Sequence, residues 1–210
     1  MPTVQQRVWD ALDKNVSWQE GLSEGIINLS ALATRLSEAL HIPGSTHAII
    51  SAIRRYPVPK ERRKQLSTIL RKARISTASS ICTVRWNAGP PTDDLQHMFD
   101  AGVLGSQVQM RLLKGEGTYS AILPETHAQR LSKRIPSGRI LELVCGLAEI
   151  HIHLTPERYH TPGLMNLILS TLSAQGINVD TILATPPHIS LYIKESDLPK
   201  AHASILLLDV

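Results

Sequence analysis

The sequence is poor in aromatic residues, which make up 4% of its 210 residues, so any packed core must be built from aliphatic side chains. It has no run of about 18 apolar residues, which predicts no membrane-spanning helix. The first ten residues lack the basic and then apolar order of a signal peptide. The two cysteines, Cys82 and Cys145, lie in separate apolar runs without a CxxC pair and are expected to be buried free thiols. Together these features favour a cytoplasmic protein.

Catalytic motifs are also lacking. The sequence contains no GxSxG, no phosphate-binding P-loop, no HExxH and no GxGxxG. The adjacent acids Asp93 and Asp94 open a predicted helix, where negative charge is favoured by the helix dipole. We therefore expect a protein that is not an enzyme and uses no cofactor.

Positive charge is concentrated in the first third of the chain. Residues 1–76 hold 12 Lys and Arg against 6 Asp and Glu, a net charge of +6. Residues 77–210 hold the remaining 10 against 12, a net charge of −2. A basic segment joined to a mildly acidic one predicts two different tasks on one chain.

Hydrophobic periodicity predicts helices over the first 75 residues. Apolar residues recur at helical spacing after Val4, after Leu29 and after Ser45, and Asn28 or Ser30 is a candidate N-cap. The third helix is expected to end before Pro57. A basic segment, 60–74, follows.

From Ser76 onward the pattern changes to alternating strands and helices. A strand at 80–86, a helix at 93–101, a hairpin of 108–114 with 118–123, a helix at 125–134 and a strand at 139–145 give the order βαββαβ.

The same order recurs in the last third of the chain. Its predicted elements are a strand at 148–154, a helix at 163–175, strands at 178–183 and 188–193, a helix at 197–204 and a strand at 205–208. Two consecutive units in the same order form an internal repeat. Each unit predicts a ferredoxin-like fold, an antiparallel four-stranded sheet with two helices on one face.

Three segments of the second unit resemble ACT domains in order and spacing. They are His160-Thr161-Pro162-Gly163-Leu164, Gln175-Gly176-Ile177-Asn178-Val179-Asp180 and Glu195-Ser196-Asp197-Leu198-Pro199-Lys200-Ala201. The resemblance implies a regulatory module that binds an amino acid between two copies. The first unit departs from the pattern at Asn87-Ala88-Gly89-Pro90-Pro91 and is expected to be a degenerate copy.

The N-terminal third resembles a helix-turn-helix-like domain that is fused to ACT modules in predicted prokaryotic regulators of amino-acid metabolism. The resemblance is carried by Gly25-Ile26-Ile27-Asn28-Leu29-Ser30-Ala31-Leu32-Ala33 and by Ala48-Ile49-Ile50-Ser51-Ala52-Ile53-Arg54-Arg55-Tyr56.

The expected ligand site surrounds the start of the helix at 163–175. A helix N-terminus presents unpaired N–H groups and partial positive charge, which suit the carboxylate of an amino acid. Glycine at that position permits close approach of the backbone. The candidate residues are Thr161, Pro162, Gly163, Leu164, Met165, Asn178 and Asp180. An ordinary turn without a ligand remains the alternative.

Four histidines in the second unit raise the question of a metal site. His151 and His153 face the same side of a strand, and His160 and His188 lie nearby in the predicted unit. No cysteine or carboxylate completes a typical ligand set at close spacing. An exposed polar strand is therefore the favoured interpretation, and no metal is expected.

The third helix is the candidate for DNA recognition, because base contacts in a helix-turn-helix come from early residues of its second helix. The candidate residues are Ser45, Thr46, His47, Ser51, Arg54, Arg55, Arg62, Arg63 and Lys64. The connection from Leu36 to Ser45 is longer than the usual turn. A solvated basic face on a protein-binding or dimerisation domain is the alternative.

The sequence thus predicts an α+β chain of three parts: a basic helix-turn-helix-like domain at 1–76, a degenerate ACT-like unit at 77–146 and an ACT domain at 147–210. We expect a homodimer that senses an amino acid. It acts either on DNA or by docking on an amino-acid biosynthetic enzyme.

Overall fold

The computed structural model describes residues 2–42, 45–58, 62–89 and 109–207, and for Arg62 and Arg63 it describes the backbone alone. The chain divides into two compact units, Met1–Lys64 and Gln65–Val210. The predicted helix at 93–101 and the predicted turn at Pro43-Gly44 lie outside the described residues. None of the described helices is long and apolar enough to cross a membrane.

The first unit is helical. Its helices are α1 (Val4–Asp13), α2 (Val16–Ser23), α3 (Leu29–Ala39), α4 (Thr46–Arg54) and the start of α5 (Arg62–Arg71). Asn28 is the N-cap of α3, since its side chain accepts hydrogen bonds from the amides of Ser30 and Ala31. Ser45 occupies the N-cap position of α4 but makes no capping hydrogen bond. The separate helix α2 was not predicted.

Helices α1, α3 and α4 share one aliphatic core. Val8, Leu36 and Ile49 are fully buried in it. Two partly buried polar contacts join segments that are distant in sequence. Trp9 Nε1 donates to the carbonyl of Ala52 at 2.9 Å. Tyr56 donates its hydroxyl to Asp13 at 2.5 Å.

We expect the helical unit to lose stability in strong alkali through Tyr56. Burial, and then the hydrogen bond to Asp13, raise the pKa of Tyr56 from 10.0 to about 12. Because its pKa is raised on folding, the protonated Tyr56 hydroxyl contributes fully to stability below pH 10. That contribution is lost as the pH rises through 12. Between these values, wild-type protein should lose more stability than Tyr56→Phe, as measured by urea unfolding followed through the NMR signal of the Trp9 indole. Equal losses in both proteins would contradict the prediction.

The second unit is built on one antiparallel sheet of six strands. The strands are β1 (Arg74–Asn87), β2 (Arg111–Lys114), β3 (Thr118–Pro124), β4 (Ile140–His153), β5 (Val179–Thr185) and β6 (His188–Lys194). Their order across the sheet is β2-β3-β1-β4-β6-β5. The helices are α6 (Glu125–Arg134), α7 (Pro156–Tyr159), α8 (Leu164–Ala174) and α9 (Leu198–Leu206). The predicted hairpin and the helices at 125–134 and 163–175 are confirmed.

The two central strands are each shared by both halves of the sheet. Strands β1 and β4 both have 14 residues and pair along most of their length. The seventh residue of each has a positive φ, 56° at Ser80 and 73° at Gly146. These irregularities shift the register between the two strands. The residues of each strand before this point belong to one half of the sheet, and the residues after it belong to the other half. The two strands predicted at 139–145 and 148–154 are therefore one strand.

The fourth strand of the C-terminal half comes from the start of the unit. Arg74–Ala78 pairs with Glu149–His153 of β4, and β6 and β5 follow on the other side. The strand predicted at 205–208 is wrong, because Leu198–Leu206 is one helix that buries Ala201 and Ile205. The C-terminal half of the sheet is thus completed by residues outside 147–210.

Both halves bury one face of the sheet beneath helices. Leu164, Ile168 and Leu172 of α8 pack on Ile150 and Ile152 of β4. In the other half, Ala128 and Leu131 of α6 pack on β1 and β3. The last two turns of α5 add Leu66 and Leu70 to the first of these cores.

Cys82 and Cys145 are joined across the central strands by a disulfide, with an S–S distance of 2.08 Å. The expectation of two free thiols is therefore wrong. The register that brings these residues together depends on the irregularities at Ser80 and Gly146, which the spacing of the cysteines does not reveal. The cytoplasmic location that was inferred from free thiols loses that support.

Candidate functional site

The loop before α8 has the backbone that the sequence suggested. Gly163 is the N-cap with φ 90° and ψ −8°, a left-handed conformation that side-chain-bearing residues rarely adopt. The carbonyl of Thr161 accepts a hydrogen bond from the amide of Leu164 at 3.2 Å. Leu164 itself is buried in the core, which fixes the start of the helix.

Two amides at this helix start remain without a carbonyl partner inside α8. Because the Leu164 amide already bonds to Thr161, the sequence expectation that it binds a carboxylate does not fit this conformation. Helix geometry leaves the amides of Met165 and Asn166, the second and third residues of α8, for an external acceptor. Asn166 was not among the predicted site residues, although its place in the first turn could have identified it.

Asn178 and Asp180 lie at the opposite end of α8. The helix has 11 residues, a length of about 16 Å. The amide of Ile177 bonds to the carbonyl of Leu172, which holds the following turn at the helix C-terminus. Asp180 accepts a hydrogen bond from the hydroxyl of Thr181. One copy of the chain therefore does not bring these residues to the Gly163 loop, and a site that uses both ends requires two copies.

The sheet face opposite α6, α8 and α9, which we call the helix-free face, is strongly curled. Arg111 Nη2 of β2 lies 3.7 Å from Glu149 Oε1 of β4, although β3 and β1 separate these strands. In a flat sheet such strands are about 14 Å apart. The curl buries an apolar centre on this face. It consists of Ile81, Ile122, Leu147 and Tyr192.

Glu149 is the hub of a polar cluster beside this centre. It is 7% exposed and accepts a hydrogen bond from the Tyr192 hydroxyl at 3.1 Å. Burial and then the carboxylate raise the pKa of Tyr192, so the phenol stays protonated and remains a donor. The alternation of side chains along a strand puts Glu149 on the same face as His151 and His153. Sequence spacing could not identify Arg111 or Tyr192, since both contacts depend on strand order and curl.

Three histidines continue the polar row towards the end of β4. His151 Nδ1 lies 2.9 Å from Ser190 Oγ. His153 Nδ1 lies 3.1 Å from His188 Nδ1, and both His151 and His153 stack near the His188 ring. Burial lowers the pKa of His151, and the nearby Glu149 partly offsets this effect. His160, the fourth histidine considered, contacts Tyr159 instead.

Helix α4 places most of the predicted DNA-binding residues on its exposed side. Thr46, His47 and Ser51 are exposed, whereas Ile49 and Ile53 point into the core. Arg54 and Arg55 are exposed at the helix end, Ser45 is half-buried, and Lys64 is exposed in α5. The side chains of Arg62 and Arg63 lie outside the described residues.

Known structures share the fold of about two thirds of this chain. An aspartate kinase of Clostridium acetobutylicum, described as an allosteric enzyme, aligns with a TM-score of 0.52 and 16% identity over 64% of this chain. The regulatory subunit of aspartate kinase from Thermus thermophilus aligns with a TM-score of 0.51 and 12% identity over 66%. The regulatory subunit of aspartate kinase from Thermus flavus aligns with a TM-score of 0.50 and 12% identity over 64% of this chain.

The extent of these alignments differs between the neighbours. This chain covers 34% of the Clostridium kinase, but 97% and 95% of the two Thermus regulatory subunits. No protein-family profile and no curated protein sequence matches the chain. At such low identity the likeness concerns the fold alone. The aligned part of the chain is accordingly similar in fold to aspartate kinase regulatory subunits.

Proposed function

We propose that this protein is a non-enzymatic regulator that binds a small amino acid through its ACT-type sheet unit. The observation that carries the proposal is the left-handed loop at Gly163, which starts α8 and leaves the amides of Met165 and Asn166 without a carbonyl partner inside the helix. The fold shared with regulatory subunits supports the same reading.

The ligand is held between two copies of the chain. The Met165 and Asn166 amides of one copy bind its carboxylate, and Asn178 or Asp180 of the other copy binds its ammonium group. This arrangement follows from the separation of these residues by the length of α8. Binding stabilises the homodimer, and its effect on the helical unit is limited by the difference in ligand affinity between the two states.

One of the twenty amino acids should raise the melting temperature. At 100 times its Kd a ligand adds about 2.7 kcal/mol, which corresponds to roughly 5–10 °C for a chain of this size. Met165→Pro should abolish the shift by removing one amide donor, and α9 already carries Pro199 at the matching second position. Met165→Ala, which retains the amide, is the control. A flat response to all twenty amino acids would contradict the proposal.

The helical unit acts on the regulator's target, which is either duplex DNA or an amino-acid biosynthetic enzyme. DNA as the target is supported by a row of exposed polar and basic side chains on α4 and just after it: Thr46, His47, Ser51, Arg54 and Arg55. The regulatory-subunit fold supports docking on an amino-acid biosynthetic enzyme.

If DNA is the target, affinity for duplex DNA should fall steeply with salt. Replacing Arg54 and Arg55 with Ala should lower the log–log salt slope by about 2, close to one unit for each phosphate contact. Lys14→Ala, in the same unit but outside the candidate surface, should leave the slope unchanged in fluorescence anisotropy. Absence of salt-dependent binding would exclude DNA and favour the docking function.

A further inference from the structure

We propose that His153 and His188 form a chelating pair for a divalent transition-metal ion on the helix-free face. Neither the sequence expectations nor the proposed amino-acid sensing includes such a site. It lies on β4 and β6, away from the amides at the start of α8.

The geometry of the pair is close to that of a metal chelate. His153 and His188 are directly opposite in the β4–β6 ladder, and their Nδ1 atoms are 3.1 Å apart. Two imidazole nitrogens on tetrahedral zinc, each about 2.0–2.1 Å from the metal, are separated by about 3.3 Å. The separation of the two nitrogens therefore needs to change by only a few tenths of an ångström, and the rings rotate so that both lone pairs point at one ion.

The proton balance of binding is simple. Two neutral imidazoles can share a hydrogen bond at this distance only if one Nδ1 carries the proton and the other accepts it. An ion takes the lone pairs of both Nδ1 atoms. The displaced proton moves through solvent to Nε2 of the same ring, so two neutral imidazoles remain as ligands.

His151 is the nearest candidate for a third ligand. Its ring centroid lies 5.0 Å from that of His188, and Ser190 Oγ orients the ring through Nδ1. Across the described part of the chain, no three His, Cys, Asp or Glu side chains converge on one point as they stand. Two histidines therefore bind first, and water or a rotated His151 completes the coordination.

The ligand type selects the metal. Imidazole nitrogen suits zinc, copper and nickel, whereas calcium and magnesium prefer oxygen ligands. Arg74, opposite His153 on β1, adds an unfavourable positive charge beside the pair. The site should accordingly bind zinc, nickel or copper(II) and show no measurable affinity for magnesium.

Calorimetric titration of the metal-stripped, tag-free full chain with ZnCl2, NiCl2, CuCl2 and MgCl2 tests the proposal. We expect one transition-metal ion per chain. Loss of an outer-shell partner alone costs about 10–100-fold in metal affinity, so His153→Asn and His188→Asn should each cost at least as much. His47→Asn in α4 and His127→Asn in α6 are matched controls that should leave affinity unchanged.

Two further readouts make the result decisive. Electron paramagnetic resonance of the copper(II) form should show coupling to at least two nitrogens, and the coupling should change in His188→Asn. Melting curves should show that the variants fold. Absence of saturable binding, or full binding by the His153→Asn, His188→Asn double variant, would overturn the proposal. Failure of the amino-acid screen would leave the metal-binding result unaffected, because metal binding depends on different residues.

Discussion

Ile75→Asp should destabilise the sheet unit strongly, although Ile75 lies far in sequence from the helices over which it packs. It faces Ile152 in the β1–β4 ladder and contacts the core beneath α8 and α9. Ile75 is partly buried, so the loss of its side chain should lie near the lower end of the roughly 2–5 kcal/mol that a buried aliphatic residue costs. A carboxylate beside an apolar core adds to the penalty. We expect a loss of at least about 2 kcal/mol in urea unfolding.

Leu207→Asp is the matched control for this prediction. Leu207 lies where the sequence predicted the fourth strand, but it is 72% exposed. Its replacement should change stability by no more than about 0.5 kcal/mol. If Leu207→Asp destabilises the protein more than Ile75→Asp does, the fourth strand is formed by the C-terminus and the described topology is wrong.

Glu149→Ala should be the most damaging single change on the helix-free face. It removes the acceptor of the buried Tyr192 hydroxyl and the partner of Arg111. The Arg111 side chain is 37% exposed and can be hydrated once Glu149 is removed, so the main penalty comes from the Tyr192 hydroxyl. A buried hydroxyl that loses its acceptor costs about 1–3 kcal/mol. Glu149→Gln retains an acceptor for Tyr192 and should lose less.

The ion pair between Arg85 and Glu142 is an exposed counterpart on the same two central strands. Its N–O distance is shorter, 2.8 Å, but its side chains are 50% and 48% exposed. Exposed pairs contribute about 0–1 kcal/mol, so Glu142→Ala should have a small effect on urea unfolding. Equal losses in the Glu142→Ala and Glu149→Ala variants would show that burial does not make Glu149 a structural hub.

The sequence predicted most elements of the sheet unit because their periods are clear. The helix at 163–175 and the strand at 188–193 have strong apolar patterns between turn residues. The segment 74–79 was missed because it is rich in Ser and Thr. Only its pairing with β4 makes it a strand.

The error at 205–208 has a similar origin. A run of Ile and Leu fits either a short strand or the end of a helix. The four-residue spacing of Ala201 and Ile205, both buried, extends α9 instead. The predicted strands at 139–145 and 148–154 left Gly146 between them, whereas it lies at the point where one strand changes register.

The candidate site was predictable in its local part alone. The Gly163 turn follows from neighbouring residues, and its left-handed backbone agrees with that prediction. The hydrogen bond from Leu164 to Thr161 depends on the exact turn, so it could not be predicted from residue types. The Glu149 cluster required the strand order and the curl of the sheet.

A titration of 15N-labelled protein with each of the twenty amino acids tests the sensing claim most directly. The claim predicts that one of them shifts the amide resonances of Met165 and Asn166 by saturable binding, together with Asn178 of the second copy. The claim would be contradicted if none of the twenty amino acids shifted these amide resonances, or if shifts were confined to other parts of the chain.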